Sequence, residues 1–201
     1  MAAVKVDPRN VHEFENEQSF YVWLGENWNR ETEVWIKIHK VSSGLASITP
    51  KEAVDVVLCF GWIDGIRKGL DATSYLQRYT PRSKRSIWSQ VNIENVERLI
   101  KSGRMRPPGV AQIEAAKADG RWSNAYRMAK SEAPKDLLAA IRANAKAQAM
   151  YEKLSSQNRF ALTFRTNNMK TEEGRKKKIE TFVAMLARGE TIHPNGGKAK
   201  R

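Results

Sequence analysis

Residues 49–66 read TPKEAVDVVLCFGWIDGI, and this stretch contains two hydrophobic periods from which the fold class follows. Thr49 is suited to cap a helix that starts at Pro50, and Glu52 stands where a reciprocal capping carboxylate belongs. Apolar side chains with helical spacing continue from there at Ala53, Val56, Val57 and Phe60. This helical period ends at Gly61, and the short apolar run after it predicts a strand.

Further strands are predicted on both sides of this stretch. Residues 34–39 alternate with a period of two, which predicts a strand with one face in the core. Residues 62–66 are predicted to bend at Gly65, and residues 70–82 to form an extended ribbon, because Pro81 disfavours helical geometry before it. Helices are predicted over residues 17–26, 93–103, 107–120, 134–145, 155–164 and 171–188. The pattern predicts an α+β fold, with a small mixed sheet flanked by helices and then an all-α C-terminal subdomain.

Length and composition exclude several classes of protein. The 201 residues correspond to one or two domains with a core of ordinary size. A single cysteine and three histidines exclude a disulfide scaffold and a cysteine-rich zinc site, and we predict no metal and no cofactor. The sequence has no apolar run typical of a signal peptide or a membrane span, so we expect a cytoplasmic protein without integral membrane association.

The positive charge is concentrated in two segments. The formal net charge is +13, from 35 Lys and Arg against 22 Asp and Glu. Residues 65–106 hold ten basic and three acidic side chains, and residues 165–201 hold ten basic and four acidic ones. If these segments meet solvent on one surface, they will attract an anionic partner such as nucleic acid or a phosphorylated ligand; otherwise the charge serves solubility alone.

A set of short motifs links the sequence to a known family. They lie at residues 33–36 (EVWI), 59–65 (CFGWIDG), 80–82 (TPR), 88–92 (WSQVN), 103–105 (GRM) and 113–122 (IEAAKADGRW). With these motifs the sequence resembles the YdeI/OmdA family, described as bacteriocin-protection, YdeI or OmpD-associated. The C-terminal helices resemble the small OmdA-type domain, with Arg175 in the expected place. The family's usual Pro-Glu-Thr-Arg entry to the last helix is replaced here by Glu-Glu-Gly-Arg at 172–175.

The resemblance implies both a domain organisation and a role. We expect an α+β YdeI-like domain over residues 1–130, a helical OmdA-type subdomain over 131–194 and a basic flexible tail over 195–201. The family description implies a role in protection against bacteriocins or envelope stress, without an established reaction, which favours a non-enzymatic protein. Because many bacteriocins are cationic, a protein of charge +13 would repel them, so we expect indirect action through an anionic partner.

A candidate surface for such a partner lies within residues 62–104. A glycine-bent turn can direct backbone N–H groups at an anion, and the segment 75–88 interleaves aromatic with basic side chains. The candidate ligand-binding residues are Trp62, Asp64, Tyr75, Arg82, Arg85, Trp88, Asn92 and Arg104. Structural roles are open for three of them: Trp62 in the core, Asp64 in a turn and Asn92 as a helix N-cap.

Two other functions remain open at this stage. The aromatic and basic segment also suits a single-stranded nucleic-acid-binding module, and a basic cleft suits an enzyme that acts on a phosphorylated metabolite. Cys59, His39 and Asp64 supply the residue types of a nucleophilic triad. Their spacing is not specific, however, and Cys59 lies in an apolar helix, so we expect an inert core thiol and assign no catalytic residue.

Overall fold

The computed structural model describes residues 4–126 and 132–194 and divides into two compact units, residues 1–126 and 127–201. The predicted domain boundary at 130–131 and the predicted tail 195–201 lie outside the described residues. The strands are β1 (Val11–His12), β2 (Val34–His39), β3 (Trp62–Gly69) and β4 (Ser74–Pro81). The helices are α1 (Glu17–Asn27), α2 (Pro50–Cys59), α3 (Gln90–Lys101), α4 (Pro107–Ala118), α5 (Lys135–Arg142), α6 (Ala145–Glu152), α7 (Ser156–Asn167) and α8 (Glu172–Ala187).

The N-terminal unit is built on a mixed four-stranded sheet in the order β1-β2-β4-β3. β1 runs parallel to β2, and the other two pairings are antiparallel. One face of the sheet contributes Val34, Ile36 and Tyr79 to a core completed by helices α1 to α4. The fold class predicted from the sequence is therefore confirmed. β3 is an edge strand whose register shifts between Asp64 and Arg67, which confirms the predicted bend at this point.

The stretch 49–66 adopts the structure that its local signals predict. Thr49 and Glu52 form the reciprocal capping box at the start of α2. Gly61 has a φ of 73°, which is suited to glycine, and the chain then enters β3. Helix α4 packs so close to the end of α2 that a Cβ atom at Gly109 would overlap the carbonyl oxygen of Cys59. Together these contacts place the end of β4 beside the end of α2.

Two local predictions differ from the structure. The N-cap of α3 is Ser89, whose Oγ accepts the backbone N–H of Asn92, so the prediction of Asn92 as the N-cap is wrong. Asn92 instead occupies the third position of the helix. No helix was predicted over Ala145–Glu152, where Asn144 caps α6 with its side chain. A single buried side chain, Ala147, lies in this helix, so its apolar pattern is too weak to detect.

The C-terminal unit is all-α, as predicted. Its core is formed by apolar side chains of α5 to α8, together with the α6–α7 loop: Leu137, Ile141, Ala147, Leu154, Leu162, Ile179, Phe182 and Leu186. Arg175, near the start of α8, donates two hydrogen bonds to Asp136 at the start of α5, at 2.6 and 2.9 Å. Within the described ranges, none of the helices is long and apolar enough to cross a membrane.

Candidate anion-binding site

The loop of residues 82–88 connects β4 to α3 and exposes one lysine and one arginine side chain at its tip. A turn is closed by the backbone N–H of Ser86, which donates to the carbonyl of Ser83 at 3.0 Å, and by the N–H of Ser83, which donates to Ser86 Oγ at 3.0 Å. Lys84 and Arg85 are the central residues of this turn, and both are exposed. The turn therefore presents two neighbouring cations to solvent.

The loop is fixed by contacts with residues distant in sequence. The backbone N–H of Arg82 donates to the carbonyl of Gly61 at 3.0 Å. Arg121, which follows α4, donates from Nη1 to the carbonyl of Ser86 at 3.0 Å. The backbone N–H of Tyr126 donates to the carbonyl of Trp88 at 3.1 Å. Arg121 was not identified from the sequence, because nothing local indicates its contact with a loop 35 residues earlier.

Below the turn, Arg82 is stacked on Trp88. The guanidinium carbon lies 3.8 Å from the centroid of the Trp88 ring, and the two side chains are only 6% and 2% exposed. Nη1 of Arg82 donates to the carbonyl of Ile87 at 3.3 Å. Within the described ranges, Nε and Nη2 of Arg82 and Nε1 of Trp88 have no hydrogen-bond partner. Burying a cation with so few acceptors is energetically costly, which makes Arg82 a candidate functional residue.

The protonation state of Arg82 is set by burial and by neighbouring charges. Burial lowers its pKa to about 10, the carboxylate of Asp64 opposes this shift, and the positive charge of Arg121 adds to it. The side chain is therefore still a cation at neutral pH. Asp64 lies on β3 and is exposed, and it forms no ion pair with Arg82, so its negative charge acts on Arg82 from a distance. The local arrangement is a buried cation beside an exposed acid.

The remaining candidate residues contact other parts of the N-terminal unit. Trp62 is buried in the core, where Nε1 donates to the carbonyl of Trp28 at 3.2 Å. Tyr75 is half-buried on β4, with the guanidinium of Arg67 4.2 Å from its ring centroid. Arg104 forms an ion pair of 2.8 Å with Glu17 of α1. The structure thus brings together Asp64, Arg82, Arg85 and Trp88 around the 82–88 loop, whereas Trp62, Tyr75, Asn92 and Arg104 have other neighbours.

Ion pairing divides the cations of residues 65–106 into two groups. Three arginines have carboxylate partners: Arg78 pairs with Glu33, Arg98 with Asp55 and Arg104 with Glu17. Lys84 and Arg85 form no ion pair within the parts of the chain that the structure describes. Arg67, Lys68, Lys101 and Arg106 likewise form no ion pair within the described ranges, so the tip of the 82–88 loop is one of several places of uncompensated charge, and it is the one that adjoins the buried Arg82.

The chemistry considered for Cys59 has no support in the structure. Cys59 is fully buried, and burial raises the pKa of its thiol to about 11, which disfavours the nucleophilic thiolate at neutral pH. Nε2 of His39 lies 3.6 Å from a carboxylate oxygen of Glu13. Among the described residues, no group of three or more His, Cys, Asp or Glu side chains is placed to hold a metal ion.

The fold and the loop define a class of protein: an α+β unit with a basic loop over a buried arginine–tryptophan stack, followed in the chain by four packed helices. Residues 12–112 match the family model described as a domain of unknown function, DUF8412, and residues 130–189 match the OmdA model, described as Bacteriocin-protection, YdeI or OmpD-Associated. The first match covers half of the chain, which therefore belongs to that family, and the second confirms kinship with the YdeI/OmdA family over the C-terminal part. Searches of the curated proteins and of the solved structures gave no match.

Proposed function

We propose that this protein is a non-enzymatic protection factor of the YdeI/OmdA type, which acts inside the cell against bacteriocins or envelope stress by binding an anionic partner. The protective role comes from the description of the OmdA family. A net charge of +13 favours an indirect role, because direct capture would require the protein to attract peptides that are mostly cationic.

The observation that carries the proposal is the charge at the tip of the 82–88 loop. Lys84 and Arg85 are exposed side by side and form no ion pair within the described part of the chain, while Arg82 and Trp88 lie beneath them. Cations that form no ion pair raise the local positive potential, which attracts anions over about one Debye length, roughly 8 Å at physiological salt. We therefore propose that this loop is the contact surface for the anionic partner.

A complementation experiment tests the proposal in cells. A strain that lacks the gene is complemented with the wild type, with a Lys84→Gln/Arg85→Gln variant or with an Arg30→Gln/Lys51→Gln variant, and is challenged with several bacteriocins. Each variant removes two positive charges from exposed side chains. The first removes them from the loop, and the second removes them from positions outside it. We expect the loop variant to lose protection and the control variant to retain it. Equal protection by all three proteins would overturn the proposal.

The alternative of a single-stranded nucleic-acid-binding module predicts a different result. Such modules stack bases on exposed aromatic rings. In this structure Arg82 lies against the ring of Trp88, which is buried, and Arg67 lies against the ring of Tyr75, so neither ring offers an unoccupied stacking platform like those of such modules. Filter binding of single-stranded DNA and RNA at several salt concentrations separates the two functions. A log-log slope of about −0.7 per neutralised phosphate, reduced by about 1.4 in the loop variant, would favour nucleic acid.

A further inference from the structure

The two unpartnered nitrogens of Arg82 lie on the same edge of its guanidinium group. In this rigid planar fork, Nε–H and Nη2–H point in nearly the same direction and match two oxygens of one carboxylate or phosphate. Nη1, on the other edge, already donates to the carbonyl of Ile87. Both Nε and Nη2 are buried and have no hydrogen-bond partner within the described ranges. Arg82 therefore carries a bidentate anion-binding edge that these parts of the protein do not satisfy.

Elsewhere in this protein the same edge of arginine binds a carboxylate. Nε and Nη2 of Arg175 donate to Asp136 at 2.6 and 2.9 Å. Nε and Nη2 of Arg188 donate to Glu190 at 2.9 and 2.8 Å. Nε and Nη2 also contact a carboxylate in three other arginines: Arg121 contacts Asp119, Arg78 contacts Glu33 and Arg9 contacts Asp7. Arg82 is more buried than these arginines, so its need for an acceptor is greater.

Trp88 adds a third unsatisfied donor to the stacked pair. Its Nε1–H is buried and without a hydrogen-bond partner in the described parts of the chain, and its ring is in contact with the guanidinium of Arg82. An anion with several oxygens can accept hydrogen bonds from a guanidinium edge and from an indole N–H at once. Three unsatisfied donors on one stacked pair are unusual, since the great majority of buried polar atoms have partners.

We propose that Arg82 and Trp88 form a recessed site for an oxyanion group, a phosphate or a carboxylate, carried by the anionic partner. This inference rests on the proposed function, because it identifies the group by which that partner is held. Lys84 and Arg85 attract the anion at the surface, and Arg82 binds one of its oxyanion groups below the turn. Asp64, whose negative charge acts on Arg82, competes with the ligand for this cation.

Burial of the donors determines how tightly such a group is held. The edge of Arg82 becomes accessible only when the covering side chains move, and displacement of the 82–88 loop breaks the hydrogen bonds that fix it to Gly61, Arg121 and Tyr126, so the open form is a minor one. Because only open molecules bind, the apparent dissociation constant equals the intrinsic one divided by the fraction of molecules that are open. We therefore expect the isolated group, inorganic phosphate or acetate, to bind in the millimolar range.

Nuclear magnetic resonance of the full-length, nitrogen-15-labelled protein tests the inference. The Nε–H signal of Arg82 is assigned by its loss in Arg82→Lys, and the indole signal of Trp88 by its loss in Trp88→Phe. Phosphate or acetate is then titrated into the wild type at constant ionic strength maintained with chloride. We expect a saturable shift of both signals with at least one anion, and no such shift of Arg175 Nε–H, whose edge is bound to Asp136. An Arg82 signal that moves no more than that of Arg175 with either anion would overturn the inference.

A second variant tests the role of the neighbouring acid without removing the site. Asp64→Asn should lower the phosphate dissociation constant by roughly three- to ten-fold, as expected for loss of one partly screened negative charge. An unchanged or weaker affinity would contradict the proposed competition. Failure of the inference is distinguishable from failure of the proposed function. If Arg82 shifts but the Lys84/Arg85 variant still protects cells, the proposed function fails alone, and the reverse pattern rejects the recessed site alone.

Discussion

The arrangement of Arg82 predicts that its replacement by methionine will not destabilise the protein. Methionine retains much of the packing volume against Trp88 and removes two buried N–H groups that lack acceptors in the described structure. Each such group costs about 1–3 kcal/mol. The substitution also removes a cation–π contact of about 0.5–2 kcal/mol and a charged hydrogen bond to Ile87 of about 1.5–3 kcal/mol. These opposing terms nearly cancel, and removal of the buried charge also removes its desolvation cost, so we expect stability to be unchanged or raised by up to about 2 kcal/mol.

Urea unfolding followed by tryptophan fluorescence measures this effect in the N-terminal unit alone, because all six tryptophans lie before residue 126. With a slope of about 1–3 kcal/mol per molar urea, the midpoint of Arg82→Met should be the same or higher by up to about 0.7–2 M, depending on the slope. Arg98→Met is the matched comparison, because it leaves the buried carboxylate of Asp55 without its ion pair and should cost about 2–3 kcal/mol. If Arg82→Met destabilises the protein as much as Arg98→Met, Arg82 has a structural partner and the reasoning fails.

Three further substitutions test the packing and the ionisation of named groups. Gly109→Ala should lower the stability of the N-terminal unit by about 1–3 kcal/mol in urea, because its Cβ would overlap the carbonyl of Cys59; an unchanged midpoint would show that the two helices are not in close contact. Burial raises the pKa of Cys59 to about 11, so native protein should react with iodoacetamide at pH 8 far more slowly than unfolded protein, and stability should fall from about pH 9 towards 11 in the wild type but less in Cys59→Ala. Rapid labelling of native protein would refute this. Arg175 lowers the pKa of Asp136, so this pair stabilises the C-terminal unit above about pH 4 and the stabilisation is lost at lower pH. Asp136→Asn should cost about 0.5–1 kcal/mol at pH 7 and abolish that acid-dependent loss, which circular dichroism can follow; a wild-type acid response in the variant would contradict the assignment.

The parts of the fold that were predictable from the sequence depend on local signals. The capping box of Thr49 and Glu52 and the alternation of residues 34–39 each lie within a few positions, so helix α2 and strand β2 follow directly. Helix α6 lacks such a signal, because it buries one small side chain, Ala147, and was therefore missed. The N-cap of α3 was not predictable, because Ser89 and Asn92 both have capping side chains and the local sequence does not distinguish them.

The site was less predictable, because its properties depend on contacts distant in sequence. The segment 75–88 indicated a surface of basic and aromatic residues, but not that Arg82 would be buried against Trp88. Arg104 is compensated by Glu17, which lies 87 positions earlier in the chain. Net charge in a segment thus overestimates the charge available to a partner, since ion pairs that neutralise it form between residues that the sequence does not connect.

The central claim is that anions bind at the 82–88 loop rather than over the basic protein as a whole. Backbone amide spectra of the full-length protein, recorded during titration with polyphosphate at physiological ionic strength, test this most directly. We expect the largest shifts in residues 82–88 and in the indole N–H of Trp88, and we expect the Lys84→Gln/Arg85→Gln variant to lose them. Shifts of equal size across the protein, or shifts that are largest at Lys176, Lys177 and Lys178 and persist in the variant, would contradict it.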